Sequence, residues 1–155
     1  SYNPRGTAQG AAGGAETGYA LVYSGLMDGL ELSAGYFDDG EQAENETFGV
    51  KYTMGSVTAA YQATTVDYEA QASTDQDATH YGVSIAINED LSVSAGRQEI
   101  EFDGKADDEV NTGMMASYTM GSIAISGGMN TMESVGGSAN AKDVEATILN
   151  VAFSF

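Results

Sequence analysis

The hydrophobic pattern of this chain has a period of two almost everywhere. Phe48, Val50, Tyr52 and Met54 alternate with Thr47, Gly49, Lys51 and Thr53. Tyr81, Val83, Ile85 and Ile87 alternate with His80, Gly82, Ser84 and Ala86, and Leu30, Leu32 and Tyr36 share a parity opposite Glu31, Ser33 and Gly35. Successive side chains of an extended strand point to opposite faces, so this period specifies strands with two unlike faces. Helical spacing is almost absent. Nine strands are expected, over roughly 16–26, 29–37, 46–54, 57–68, 79–87, 91–102, 111–120, 123–132 and 145–155. One proline against 20 glycines and 9 tyrosines suits long strands joined by tight turns.

The connections come in two kinds. "MDG" at 27–29, "GS" at 55–56, "NED" at 88–90 and "GS" at 121–122 are hairpin turns. "DDGEQAEN", "EAQASTDQDA", "DGKADDEV" and "ESVGGSANAKDV" are longer and mostly acidic. Short turns at one end and long polar loops at the other describe an antiparallel up-and-down meander. An internal echo supports it: "YTMGSVTAAY" begins at Tyr52 and "YTMGSIAISG" at Tyr118, four expected strands apart.

Charge and composition remove several function classes. The net charge is -18, with 23 acidic and 5 basic residues, and phosphate neutralisation needs Lys and Arg, so a nucleic-acid partner is excluded. With no cysteine there is no thiolate site and no disulfide. An apolar share of 42% argues against disorder. No apolar run approaches the roughly 18 residues of a transmembrane helix. No basic start and apolar stretch marks a signal peptide. The opening "SYNPRGTAQGAAGGAE" reads as the middle of a loop, so residues 1–15 are expected to be a loop and 16–155 one β segment.

A soluble sandwich turns its apolar parity inward, and a membrane barrel turns it out to lipid. Three features favour the barrel. The expected strands are about 9–11 residues long, the length that crosses a bilayer with tilt. Tyr19, Tyr23, Tyr52, Met54, Tyr118 and Met120 sit at strand ends on the apolar parity, as an interfacial girdle requires. The opposite parity is small and polar, which suits a wet lumen.

The last strand, "ATILNVAFSF", adds a further mark. Leu149, Val151, Phe153 and the terminal Phe155 occupy every second position, with Ile148 the one apolar residue out of phase. This ending resembles the C-terminal signature of outer-membrane β-barrels, which implies recognition by the barrel-assembly machinery. With "FGVKYTMGSVTAAYQ", "HYGVSIAINEDLSVSAG" and "MMASYTMGSIAISGGM", the whole chain resembles the general diffusion porins of Gram-negative outer membranes, particularly the alphaproteobacterial type. The resemblance implies an antiparallel 16-stranded barrel of about 300 residues in a lipopolysaccharide-containing outer membrane. It also implies a homotrimer that passes small hydrophilic solutes, with an inward-folded third loop narrowing the pore. Nine strands are an odd number, and an odd antiparallel meander cannot close on itself, because its first and last strands run the same way. The chain is therefore expected to be the C-terminal part of a larger barrel with about seven further strands.

By parity Glu31, Lys51, Gln62, Thr64, His80, Ser84, Ser92, Ser94, Ser117, Ser126, Asn130 and Asn150 are expected to face the lumen. Lys51 is the candidate wall cation, since a charge against mid-bilayer lipid costs about 2–4 kcal/mol. Arg97 shares the parity of Leu91, Val93 and Ala95, so either a bulge resets the register or Arg97 stands above the hydrocarbon. Asp38, Asp39, Glu41, Glu44 and Glu46 form one acidic cluster, and Asp103, Asp107, Asp108 and Glu109 another. Asp38, Asp39, Glu41, Asp103, Asp107 and Asp108 could bind calcium through oxygen ligands, although EF-hand spacing is absent; a solvated acidic mouth that attracts cations is the other reading. No other cofactor is expected. Nor is an enzyme: G-x-S-x-G, H-E-x-x-H and phosphate-loop patterns are missing, and His80 is the one histidine. The competing reading from another class is a secreted or surface-attached soluble β-protein with calcium-binding acidic loops.

Overall fold

The computed structural model describes residues 17–40, 43–68 and 75–154. They form one antiparallel sheet of nine strands in sequence order: β1 (Thr17–Tyr23), β2 (Leu30–Asp38), β3 (Ala43–Met54), β4 (Val57–Tyr68), β5 (Gln76–Ala86), β6 (Leu91–Phe102), β7 (Glu109–Met120), β8 (Ile123–Glu133) and β9 (Val144–Phe153). Residues 1–16, which include the opening loop expected over 1–15, lie outside the described part, as does Phe155.

Turn chemistry fixes the short-turn end. Gly55 and Gly121 both adopt φ 59, a left-handed value that an L side chain resists, while Ser56 and Ser122 do not. Glycine in the first of two central positions gives the II′ hairpin, whose twist matches the strands it joins. Between β5 and β6 the Asn88 carboxamide oxygen accepts from the backbone N–H of Asp90 (2.9 Å) and Leu91 (2.8 Å), a side-chain-built turn. These turns are tied to the next strand ends: Ala86 N donates to Ser56 O (2.8 Å) and Ser154 N to Ser122 O (2.9 Å).

Among the described residues the sheet has no second layer. Among the described residues no side chain is fully buried, and Ala43 is the one buried apolar residue. Leu149 is 73% exposed, Phe153 60% and Val83 40%. A sandwich would have sealed these side chains between two sheets.

Pairing also reveals a tilt. The row of partners that starts at Tyr23 runs through Leu32, Val50, Tyr61, Tyr81, Arg97, Thr112 and Thr131 to Glu145. It begins at the lower end of the apolar stretch of β1 and finishes eight residues above Phe153, the lower end of the apolar stretch of β9. The apolar belt therefore slides about one residue per strand; with a rise of about 3.3 Å and a strand spacing of about 4.8 Å, that is a strand tilt of about 35°. The echo obeys the same rule. The row through Tyr52 meets β7 at Met114, and Tyr118 lies four residues below it after four strand steps.

Several strands are longer than the alternation indicates. β3 begins at Ala43, β5 at Gln76 and β7 at Glu109, because Ala43 pairs with Tyr68, Gln76 with Phe102 and Glu109 with Ile100. β1 stops earlier, at Tyr23, and Leu26 falls in the bend that follows. Because Gly55 and Gly121 share one φ and open surroundings, Gly55→Ala and Gly121→Ala are each expected to destabilise the fold by about 1–2 kcal/mol, additively. Guanidinium unfolding midpoints in detergent micelles measure this.

Candidate functional site

All twelve side chains assigned to one face by parity fall on one face of the sheet. Side-chain partners run across it in rows. One is Ser33, Gly49, Gln62, His80, Gln98 and Asn111; the next is Glu31, Lys51, Ala60, Gly82, Gly96, Gly113 and Asn130. Below them come Thr53, Thr58, Ser84, Ser94, Met115, Gly128 and Ile148, and then Ser92, Ser117, Ser126 and Asn150. Thr64 lies above, where its hydroxyl meets that of Thr47 (3.0 Å) and accepts from Gln62 Nε2 (3.2 Å).

Lys51 does not stand alone as a wall cation. Its Nζ lies 2.8 Å from Glu31 Oε1, because the β2–β3 register places the two residues directly opposite each other. Both side chains are partly solvated, so the pair adds at most about 1 kcal/mol to stability. Its chemical effect is to cancel the charge on this stretch of the face. Gln62, His80, Gln98 and Asn111 add donors and acceptors beside it. Two hollows lie on this face: one of about 530 Å³ around Lys51, His80 and Asn111, the other of about 460 Å³ around Ser84, Met115 and Ile148.

The opposite face carries the apolar belt. Tyr19, Leu21 and Tyr23 on β1, Phe48, Val50, Tyr52 and Met54 on β3, and Leu149, Val151 and Phe153 on β9 all lie on it. Tyr19 and Tyr36 stack at its upper margin, ring centroids 6.5 Å apart. Towards the long loops the same face turns acidic, with Glu44, Glu46, Asp67, Asp77, Glu99, Glu101, Glu133 and Glu145. Arg97 lies at the change-over. Pairing of β6 with both neighbours is continuous, so no bulge resets its register. It sits one step above Ala95 on the belt face, and its guanidinium bonds Glu99 Oε1 (Nε–O 2.9 Å).

The acidic loops use their carboxylates locally. Asp38 Oδ1 accepts from Gly40 N (2.6 Å), Asp39 Oδ1 from Ala43 N (3.0 Å) and Asp75 Oδ1 from Tyr68 N (2.8 Å). Glu109 joins two connections, accepting from Asn111 Nδ2 (3.0 Å) and Gly136 N (2.8 Å). Among the described residues no three acidic or histidine side chains are gathered around one point; Glu41 lies outside them. Met115, two residues before Ser117 and on its parity, faces the polar side opposite Ile148 across Gly128, although it is not among the residues expected to line that face. Its parity with Ser117, together with the out-of-phase Ile148, was the available signal.

A family profile of the Gram-negative porins matches residues 2–155. The chain belongs to that family. A mutant form of the Rhodobacter blastica porin has a similar fold, with a TM-score of 0.62 at 18% identity, over 90% of this chain. The match covers 46% of the Rhodobacter chain, so this porin sequence spans about half that length. No curated protein gives a significant sequence match. As a Gram-negative porin the protein resides in the outer membrane, where the exposed belt has the one surrounding in which it is stable. Val83 is central in the β5 part of the belt, between Tyr81 and Ile85. Val83→Arg is expected to cost about 2–4 kcal/mol and Ser84→Arg, one residue on but facing the other way, under about 0.5 kcal/mol. Urea unfolding in lipid vesicles compares the two.

Proposed function

We propose that this porin forms a water-filled channel for passive diffusion of small hydrophilic solutes and ions, with the polar face as its lumen wall. One observation carries the reading: a single-layer sheet whose two faces differ in polarity and which has no core of its own among the described residues. Rolled into a barrel with the belt outward, such a sheet surrounds water with Glu31, Lys51, Gln62, Thr64, His80, Ser84, Ser92, Ser94, Ser117, Ser126, Asn130 and Asn150. No chemical step is needed, so the protein acts as a conduit and not as an enzyme.

The nine strands serve as part of a larger barrel. β1 and β9 run in the same direction, so an antiparallel barrel needs an odd number of further strands between them, seven in a 16-stranded one. The coverage of under half the Rhodobacter chain agrees with this. The complete protein assembles as a homotrimer among lipopolysaccharide. Leu149, Val151 and Phe153, with Phe155, present the final strand to the barrel-assembly machinery.

The channel prefers cations. The net charge of -18 and the acidic upper margin create a negative field at the long-loop end. Planar-bilayer reversal potentials across a KCl gradient test this on the full-length protein, and an anion preference refutes it. Lys51→Ala leaves Glu31 uncompensated and is expected to raise the cation preference about twofold, while Glu31→Gln lowers it by a similar factor.

A further inference from the structure

Ile148 breaks the alternation of β9, and the sheet gives it a neighbour. Across Gly128, which has no side chain, stands Met115. Met115 is 47% exposed and Ile148 51%, on a face where their own row otherwise carries Ser84 and Ser94 and the next row down Ser117 and Ser126. A Cβ placed on Gly128 would meet Met115 Cβ at 3.6 Å and its methyl at 3.7 Å, so the absent side chain leaves the thioether uncovered. Ala146, next along β9 on the same face, continues the apolar bank.

This bank borders a trough. The 460 Å³ hollow beside Met115 and Ile148 and the 530 Å³ hollow beside His80 share Ala60, Gly82, Gly96, Gly113 and Asn130. Gly82, Gly96 and Gly113 are direct partners on consecutive strands, so they form a continuous floor free of side chains. The upper bank is polar and close to electroneutral. Gln62, Gln98 and Asn111 offer hydrogen bonds without formal charge, Lys51 is held by Glu31, and Arg97 bonds Glu99 on the other face.

We propose that this trough is a sorting track for uncharged solutes of the cyclic monosaccharide class. A pyranose ring presents C–H groups on one face and hydroxyls around its edge. The Met115–Ile148 bank takes the C–H face and the Gln62–Gln98–Asn111 bank takes the hydroxyls. An ion gains nothing from a neutral bank, and an acyclic polyol has no fixed apolar face. Contact must stay weak for the solute to leave, so the expected effect is a bias in flux and not tight binding. The inference rests on the polar face being the lumen wall.

The full-length porin in phosphatidylcholine vesicles provides the test, with swelling in D-xylose compared with swelling in xylitol, which has the same carbon count but no ring. The wild type is expected to admit xylose about two- to threefold faster, and Met115→Ser/Ile148→Asn to bring the ratio near one with KCl conductance retained. Ile148→Thr, which keeps a β-branched side chain, gives an intermediate ratio and covers the case in which the double variant fails to fold. A wild-type ratio near one, or a ratio that neither variant changes, overturns the sorting track while normal KCl conductance leaves the channel standing. A lowered unfolding midpoint in both variants with an unchanged ratio also overturns it, since the patch would then be packed under another part of the protein. Loss of KCl conductance in the wild type would instead remove the channel reading itself.

Discussion

Each strand of this protein depends on its neighbours for its backbone hydrogen bonds. Hydrocarbon offers no donor or acceptor, and an unpaired peptide group there costs several kcal/mol. With no interior among the described residues to bury side chains in, the ladder between strands takes the place that a core holds in a soluble domain. The other features serve that ladder. Two-residue hairpins at Gly55 and Gly121 keep adjacent strands in register to their ends, and Ser56 and Ser122 accept from the next strand to extend pairing to the rim.

The solvents on the two sides then decide side-chain chemistry. Against lipid, apolar residues are favourable wherever they fall within the belt, and Tyr19, Tyr36 and Tyr81 mark its upper margin. Beyond that margin the same parity turns acidic without any change in backbone pairing. Arg97 belongs to this change-over: its long stem can lie along the belt while its head bonds Glu99. The faces are thus distinguished by depth as well as by parity.

This explains what could be read in the sequence. Alternation is visible only where one face meets hydrocarbon, so the strand centres, the nine-strand count and the sharing of one face by the twelve polar residues were legible. Above the belt both faces meet water and the signal vanishes, so the pairing of Ala43 with Tyr68 and of Gln76 with Phe102 was not. The Lys51–Glu31 pair was hidden for another reason: its members are far apart in the chain, and only the β2–β3 register sets them opposite each other. Ile148 could be seen as out of phase, but Met115, its counterpart across Gly128, lies two strands away.

The one-residue slide per strand gives the repeat its geometry. Four strands carry Tyr52 to Tyr118 and Met54 to Met120, and the slide over those strands equals the displacement needed to regain the same level. A stretch of this length is therefore self-levelling. Copying or deleting it would alter the circumference by about 23 Å, four strand spacings corrected for inclination, yet leave the hydrophobic thickness untouched. Bore and membrane fit become separate variables, and a wall built this way can be widened without being re-matched to its bilayer.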